Sequence, residues 1–353
     1  NVGSQTDANH RGAFQANGPT FVAQQDEESW YGIRFNNYSD DATSSILNSN
    51  IELAEYGIQC IDSSPLIANK TLTNNINGVD ADPQSAPIIR SNIFTENAIP
   101  VRYFAQNIDS TIYENIYINN LQDSSSTDFI YVISDGDENR LFENKTYTWV
   151  NDGAPYRITQ DLHVWENDSD NEIAILKINP GTQVVFNSGA HLQIGGIGAG
   201  DVGALDADSV LFSRASFDES EWGGIRIVTY SNDNLTAIKR SIVEHADKGV
   251  EIQGASPTIT ESIFRNNNFA IHSDPSSEPL IQNNSFLENN YPIYMCAETV
   301  DGNLFGNIYN SNLNNVIWLY GTENNGNWVR LGDNKTYSWL KDGAPYYLHT
   351  DVR

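Results

Sequence analysis

The chain repeats itself over a long distance, and this repeat limits what it can fold into more than any other feature. Residues 144–156 read NKTYTWVNDGAPY and residues 334–346 read NKTYSWLKDGAPY, so ten of thirteen positions are identical at an offset of 190. The match continues elsewhere at an offset of 192, because APIIRSNIFTENAIP at 86–100 corresponds to EPLIQNNSFLENNYP at 278–292. Long internal repeats are typical of solenoids, in which each repeat packs against its neighbours.

This repeat predicts how the chain is divided. Residues 1–143 form the C-terminal three-quarters of one module, residues 144–333 form a complete module, and residues 334–353 open a third. Both ends fall inside a module of about 190 residues, so we expect the natural protein to continue in both directions.

A shorter period within each module indicates the fold class. Pro-X-Ile landmarks recur at a spacing of 22, at 65–67 and 87–89 and again at 257–259 and 279–281. Short apolar-alternating stretches lie between them, separated by Asn, Ser, Asp and Gly, and no useful window has helical periodicity. The pattern predicts an all-β parallel β-helix (solenoid) with Ile67, Ile89, Ile259 and Ile281 stacked inside. A β-sandwich array is the alternative, but it would need hairpin turns and irregular spacing.

Asparagine recurs at the predicted turns. We expect Asn there because it tolerates left-handed backbone geometry and because its amide can bond to the equivalent Asn one coil away. The residues concerned are Asn75, Asn97, Asn115, Asn267, Asn289 and Asn307.

The charge balance excludes whole classes of partner. Forty-six acidic against 19 basic residues give a formal net charge of -27, which repels nucleic acid and anionic lipid and favours divalent cations. No apolar run approaches the roughly 18 residues that span a bilayer, so no membrane insertion is expected. Cys60 and Cys296 are the only cysteines, and each aligns with an apolar residue of the other copy, which predicts buried, unpaired thiols.

Two acidic loops are the candidate metal sites. Asp168, Asp170 and Glu172 form the better cluster, followed by Asp135 and Asp137. Calcium binds six to eight oxygens and suits such loops, but neither contains a complete EF-hand pattern. The alternative is that they are solvated surface turns, and no other cofactor is expected.

The sequence contains no motif that supports a catalytic or a nucleotide-binding site. GAGDVG at 198–203 has the letters of a dinucleotide fingerprint, but a strand-like segment follows where that site needs a helix, which predicts a glycine-rich turn. Arg34 and Arg226 occupy equivalent positions, and alternation places both outward on strands. The six histidines show no metal-binding spacing.

At module level the chain resembles a known architecture. The quoted stretches are KINPGTQVVF at 177–186, HLQI at 191–194, GAL at 203–205, Phe212 and WGGI at 222–225. They resemble the opening of right-handed parallel β-helix modules in large secreted and cell-surface bacterial proteins of adhesin or stalk type. The resemblance implies a right-handed fold and a secreted or cell-surface location. It does not imply a reaction, because such modules occur in adhesins, stalks and enzymes alike.

The segment repeated most closely is predicted to be a junction between modules. An open β-helix end exposes strand edges and core side chains, which aromatic residues can cover while Asp-Gly-Ala-Pro redirects the chain. The predicted junction residues are Tyr147, Trp149, Pro155, Tyr337, Trp339 and Pro345.

These expectations favour a structural or adhesive repeat region that forms a rigid stalk or filament and has no catalytic activity. Its expected partners are neighbouring modules, further copies of itself and surface glycans. The alternatives are a polysaccharide lyase or hydrolase on the same fold and a carbohydrate-binding module. Repetition favours the spacer, because an enzyme needs only one well-formed site.

Overall fold

The computed structural model describes residues 1–24, 29–120, 128–134, 139–142, 144–167, 172–216, 220–321, 328–329, 331, 336–349 and 351–352. The chain forms two compact units. The first unit contains residues 1–139 and 148–159, and the second contains residues 140–147 and 160–353. The module boundaries at 143/144 and 333/334 come from the repeat, and they stay a prediction.

Each unit is built from coils of three short strands, and equivalent strands of successive coils pair in parallel to form three sheets. In the first unit, sheet 1 contains Gln15–Asn17, Ser45–Leu47, Leu66–Ala68, Ile88–Arg90 and Ile112–Tyr113. Sheet 2 contains Thr20–Phe21, Asn50–Glu52, Thr71–Thr73, Ile93–Thr95 and Ile116–Ile118. Sheet 3 contains Trp30–Phe35, Ala54–Cys60, Asn77–Ala81, Ile99–Phe104, Ile130–Ile133 and Tyr156–Ile158.

The second unit repeats this arrangement. Its sheet 1 contains Ala174–Ile178, Asp201–Asp208, Ala237–Lys239, Thr258–Thr260, Leu280–Gln282 and Leu304–Phe305. Its sheet 2 contains Gln183–Phe186, Leu211–Arg214, Ile242–Glu244, Ile263–Arg265, Ser285–Leu287 and Ile308–Asn310. Its sheet 3 contains Leu162–Val164, His191–Ile194, Gly224–Val228, Lys248–Gln253, Phe269–Ser273, Tyr291–Cys296, Ile317–Tyr320 and Tyr346–Leu348.

A few elements lie outside these sheets or begin them. The additional strands are Asn139–Leu141, Thr146–Trp149, Glu166–Asn167, Trp328–Val329 and Asp351–Val352. Two 3-10 helices occupy equivalent places, Ala105–Asn107 and Ala297–Thr299. Glu166–Asn167 pairs antiparallel with the start of Asp201–Asp208, whereas the pairings within 12–120 and 203–312 that the structure describes are parallel.

The predicted isoleucine columns are confirmed. Ile67 pairs with Ile89, Ile259 pairs with Ile281, and all four side chains are fully buried. The steps Ile46 to Ile67 to Ile89 to Ile112 are 21, 22 and 23 residues, and Ile238, Ile259, Ile281 and Leu304 follow the same steps. Equal coil lengths in the same order show that the two copies match coil by coil.

The asparagine ladders are also confirmed, but the expected backbone geometry was placed one residue too late. The Asn75 side-chain amide donates to Asn97 Oδ1 at 2.8 Å, and the Asn267 amide donates to Asn289 Oδ1 at 3.0 Å. The residue with left-handed backbone geometry is the one that precedes each ladder Asn. Glu96, which precedes Asn97, is an example. The left-handed residue turns the chain at the corner, which lets the next side chain point inward and bond along the stack.

The glycine-rich stretch 198–203 begins with a turn at 198–200, as predicted, and its remainder is strand. Asp201 accepts a hydrogen bond from the Gly198 amide at 2.7 Å, and the strand Asp201–Asp208 follows, with no helix to bind a pyrophosphate. A glycine is required elsewhere, at Gly32 and its counterpart Gly224. Their φ values are 108° and 106°, and a Cβ would lie 1.5 Å from Tyr56 O or 1.6 Å from Lys248 O.

Candidate functional site

The Asp-Gly-Ala-Pro turn of the first repeated segment caps an asparagine ladder. In the first unit, the ladder rises from Asn92 to Asn115 and ends on Asp152, which is 2% exposed. Asp152 accepts from the Asn115 amide N–H at 2.8 Å, from its side-chain amide at 2.9 Å and from the Tyr117 hydroxyl at 2.6 Å. A carboxylate is suited to this position because it only accepts hydrogen bonds, so it ends the chain of donors.

The second copy of the segment does the same in the second unit. Asp342 accepts from the Asn307 amide N–H at 2.7 Å, from the Asn307 side-chain amide at 3.0 Å and from the Tyr309 hydroxyl at 2.6 Å. Tyr309 ends a stack of buried rings that includes Phe286, at a centroid distance of 5.2 Å. In each unit a single Asp therefore accepts hydrogen bonds from the last Asn of the ladder and from the Tyr at the end of the neighbouring aromatic column.

The surroundings shift the pKa values of these groups. Burial raises the pKa of Asp152 above its ordinary value, and hydrogen bonds from Asn115 and Tyr117 offset this only in part. Burial raises the pKa of Tyr117 and Tyr309 well above its ordinary value, and the adjacent carboxylate acts in the same direction. Both hydroxyls therefore stay protonated and act as donors over the physiological range.

The predicted junction residues differ in how far they are buried. Trp149 is fully buried, and its ring lies 5.1 Å from that of Tyr156; Trp339 is half-buried, 5.5 Å from Tyr346. Pro155 O accepts from Ile130 N–H and Pro345 O from Ile317 N–H, both at 2.9 Å. Tyr147 is buried with the Lys145 amine 4.5 Å from its ring centre, and Tyr337 is half-buried.

Sequence reasoning missed a group of polar side chains on the outer face of sheet 3 in the second unit. Arg226 Nε donates to Glu251 at 2.9 Å, the Lys248 amine bonds to the same carboxylate, and Arg226 also approaches His191 Nε2 at 3.2 Å. The Asp161 carboxylate accepts from the His191 amide at 2.8 Å. The residues come from four strands or their edges, so parallel register alone brings them together. The prediction that Arg226 points outward is confirmed.

Arg34, the counterpart of Arg226 in the first unit, is bonded to a neutral side chain. Arg34 also points outward and donates to Gln59 at 2.7 Å, with its guanidinium 4.4 Å from the Tyr31 ring centre.

The candidate calcium ligands are only partly placed. Asp135, Asp137, Asp168 and Asp170 lie outside the described residues, and Glu172 is half-buried. Calcium binding by these loops therefore stays a prediction. Among the residues that the structure describes, no three His, Cys, Asp or Glu side chains are grouped to hold a metal ion. Cys60 and Cys296 are buried and unpaired, as predicted.

Comparison with known families agrees with the coil architecture. Residues 200–343 match the family model described as right handed beta helix region. The chain has the fold of a right-handed parallel β-helix. Residues 23–130 of this β-helix match the model described as periplasmic copper-binding protein (NosD). No curated protein and no solved structure matches the chain. Within the described part, no helix is long and apolar enough to cross a membrane.

Proposed function

We propose that this β-helix is a non-catalytic, structural or adhesive segment of a periplasmic or extracellular protein, in which tandem modules form a stalk. The observation that carries the proposal is the repeated cap: Asp152 and Asp342 each accept three equivalent hydrogen bonds. The opening segment of one module supplies the cap of the module before it, so modules join in series without a separate linker. The location is supported by the periplasmic description of the family that residues 23–130 match.

Neighbouring modules of the same protein are then the first partners, and filaments are a second level of the same association. Beside the second cap, Leu340 and Leu348 are 42% and 38% exposed. Apolar surface next to a strand edge favours association with another module or another copy.

A polysaccharide lyase or hydrolase is the competing function. The polar group on sheet 3 is its best candidate site among the described residues. There the Glu251 carboxylate is bonded to both Arg226 and Lys248, which lowers its proton affinity and suits a structural ion pair better than a general acid.

Copper does not fit the stretch that matches the copper-binding family. Copper is bound in proteins by His, Cys and Met side chains. Residues 23–130 contain no His and no Met, and their one Cys is Cys60. Cys60 is fully buried, and burial raises its pKa well above the ordinary value, so the metal-binding thiolate is disfavoured. We assign no copper role to this stretch.

The cap can be tested by Asp152→Ala and Asp342→Ala, each compared with its Asp→Asn counterpart. Alanine leaves the ladder amide and the tyrosine hydroxyl without their acceptor, so each variant should lose about 1–3 kcal/mol of stability. Hydrogen exchange measured by mass spectrometry should show faster exchange around 112–118 for Asp152→Ala and around 304–310 for Asp342→Ala. Asparagine retains one acceptor oxygen and should preserve most of the protection.

Trp149→Ala provides a second measurement. It should lower stability by about 3–5 kcal/mol, since it empties a fully buried site, without changing binding to any glycan. If it instead abolished glycan binding at unchanged stability, the segment would be a binding site. If the protein released reducing ends or unsaturated sugars from polysaccharides, and if Glu251→Gln abolished this activity, the protein would be an enzyme rather than a spacer.

A further inference from the structure

Aromatic side chains cover part of the outer face of sheet 3 in the second unit. Parallel register places His272 beside Tyr294, Tyr294 beside Trp318, and Trp318 beside Tyr347, one residue from each coil. Phe269 pairs with Tyr291 in the neighbouring column, and their rings stack at 4.8 Å. We call the surface formed by Phe269, His272, Tyr291, Tyr294, Trp318 and Tyr347 the aromatic face.

The rings of the aromatic face are in mutual contact and reach solvent. Tyr291 lies edge-on to Trp318 at 5.5 Å, and Trp318 is tilted against Tyr347 at 4.4 Å. Tyr347 is 45% exposed, and the other five side chains are half-buried. Large aromatic rings with a solvent-facing side are typical of interaction surfaces rather than of a core.

Coil stacking does not require these rings. At an offset of 192, the first unit has Asn77, Asp80, Ile99 and Arg102 where the second has Phe269, His272, Tyr291 and Tyr294. The strands pair in the same register in both units, with Asp80 beside Arg102 as His272 is beside Tyr294. The same architecture therefore accepts non-aromatic residues at these four positions, whereas the counterpart of Trp318 by strand pairing is the aromatic Tyr131. The four rings need a reason other than coil stacking.

A row of amides runs along one edge of the aromatic face. The Asn268 side-chain amide donates to Asp247 at 2.9 Å, and that of Asn290 donates to Asn268 at 3.2 Å. Asn314 continues the row by donating to Asn290 O at 3.1 Å. These groups are at least partly exposed, and Asn268 and Asn290 directly precede Phe269 and Tyr291 in sequence. A row of hydrogen-bonding groups thus borders the apolar rings.

The charged side chains beside the aromatic face limit which ligands can bind there. The carboxylates of Asp247, Glu251 and Asp274 act electrostatically on His272, and Glu251 is bonded to both Lys248 and Arg226. Burial first, and then Lys248, lower the pKa of His272, so this ring is neutral at neutral pH. An acidic rim in a chain of net charge -27 repels anionic polymers, whereas carboxylates and amides accept hydrogen bonds from hydroxyl groups.

We infer that the aromatic face binds an uncharged polysaccharide. A sugar chain has apolar C–H patches flanked by hydroxyl groups, and it meets here apolar rings bordered by amide and carboxylate acceptors. Because successive rings lie on successive coils, the polysaccharide runs along the stack, and the aromatic face contacts several of its sugars at once. This binding site is independent of the proposed spacer role.

The test is affinity electrophoresis of the intact chain in native gels containing one soluble polysaccharide each. Uncharged glucans, mannans and xylans are compared with anionic alginate and cationic chitosan. At least one uncharged polymer should retard the protein, and Trp318→Ala and Tyr294→Ala should each weaken binding at least tenfold. Tyr31→Ala is the matched control, because Tyr31 is an exposed ring, 43% accessible, on sheet 3 of the first unit; it should bind like the native chain.

A variant that carries four residues of the first unit, called the graft, tests binding without disturbing the fold. Phe269→Asn, His272→Asp, Tyr291→Ile and Tyr294→Arg together install the side chains that the first unit already carries, so the fold should persist while binding is lost. Retardation by none of the uncharged polymers, or by chitosan alone, would overturn the inference. So would unchanged binding in the folded graft. Light scattering that shows the native chain as an oligomer and the graft as a monomer would make the face a protein interface instead.

Discussion

Sheet 3 differs between the two units on its outer face and agrees on its inner face. The inward column of the first unit is Ile33, Ile58, Val79, Val101, Ile130 and Tyr156. That of the second unit is Ile225, Val250, Ile271, Ile293, Ile317 and Tyr346. The outward columns begin alike with Arg34 and Arg226 and then diverge, to Asp80 and Arg102 in one unit and to His272 and Tyr294 in the other.

This contrast separates what the fold requires from what it permits. An inward residue must fill a close-packed column, so only apolar residues of similar volume fit. An outward residue contributes its backbone to the same ladder but leaves its side chain in solvent, where substitution costs little. The outer face is therefore where two copies of one architecture can acquire different functions.

The strongest test of the shared inner face is Ile89→Asp compared with Ile281→Asp. Each places an unpaired carboxylate in a fully buried column, which should cost about 5 kcal/mol or prevent folding. Chemical unfolding should give similar losses for the two, whereas Ile88→Asp, at a position 42% exposed, should lose little. A melting curve unchanged by either buried substitution would contradict the inward placement.

Lys70 is an exception on the inner side and gives the next largest effect. It occupies the ladder position that Ser262 has in the second copy, is 2% exposed, and its amine bonds to Ala68 O at 3.2 Å. Burial lowers its pKa to about 7. The unfolded chain therefore binds the extra proton between pH 7 and the ordinary value near 10.5, and native stability should rise across that range.

Replacing Lys70 should remove this pH dependence. Lys70→Met keeps the volume without the charge and should be more stable than the native chain by about 2–4 kcal/mol below pH 7, with the difference vanishing near pH 10.5. Unfolding curves at pH 6, 8 and 10 measure it. A constant difference at all three pH values would mean that the amine stays charged and solvated.

The smallest effect is expected on the outer face, at Glu251 and its counterpart Gln59. Burial raises the pKa of Glu251, but hydrogen bonds from Lys248 and Arg226 lower it more, so the net pKa is below its ordinary value. Its stabilisation is present above the ordinary carboxyl pKa and is lost as pH falls through the lowered one.

Glu251→Gln should therefore cost about 0.5–1 kcal/mol at pH 7, and the cost should diminish toward pH 3. Gln59→Glu, which gives Arg34 the same partner, should gain no more than this. Melting temperatures at pH 7 and pH 3 measure both. A loss of several kcal/mol in Glu251→Gln would show that the outer face is as constrained as the core.

Much of the fold could be predicted because its signals are local or periodic. The 22-residue landmarks fixed the inward isoleucines, and the recurring asparagines indicated ladders, since a solenoid places residues one period apart side by side. The left-handed corner was misplaced by one residue because Glu96 and other non-glycine residues adopt it, against their ordinary preference. The acceptor role of Asp152 could have been suspected from its recurrence, but the motif alone did not show which ladder it ends.

The sequence by itself determined the repeat, the coil length, the apolar columns and the acidic character, because each follows from residue type and spacing along the chain. Only the tertiary structure decided which outward residues meet. Phe269, Tyr294 and Trp318 lie at irregular distances in sequence and without a motif, and they come together because parallel strands of successive coils align them. Side-chain neighbours across a sheet depend on register, and register is set by the packing of the inner face rather than by the outward residues themselves.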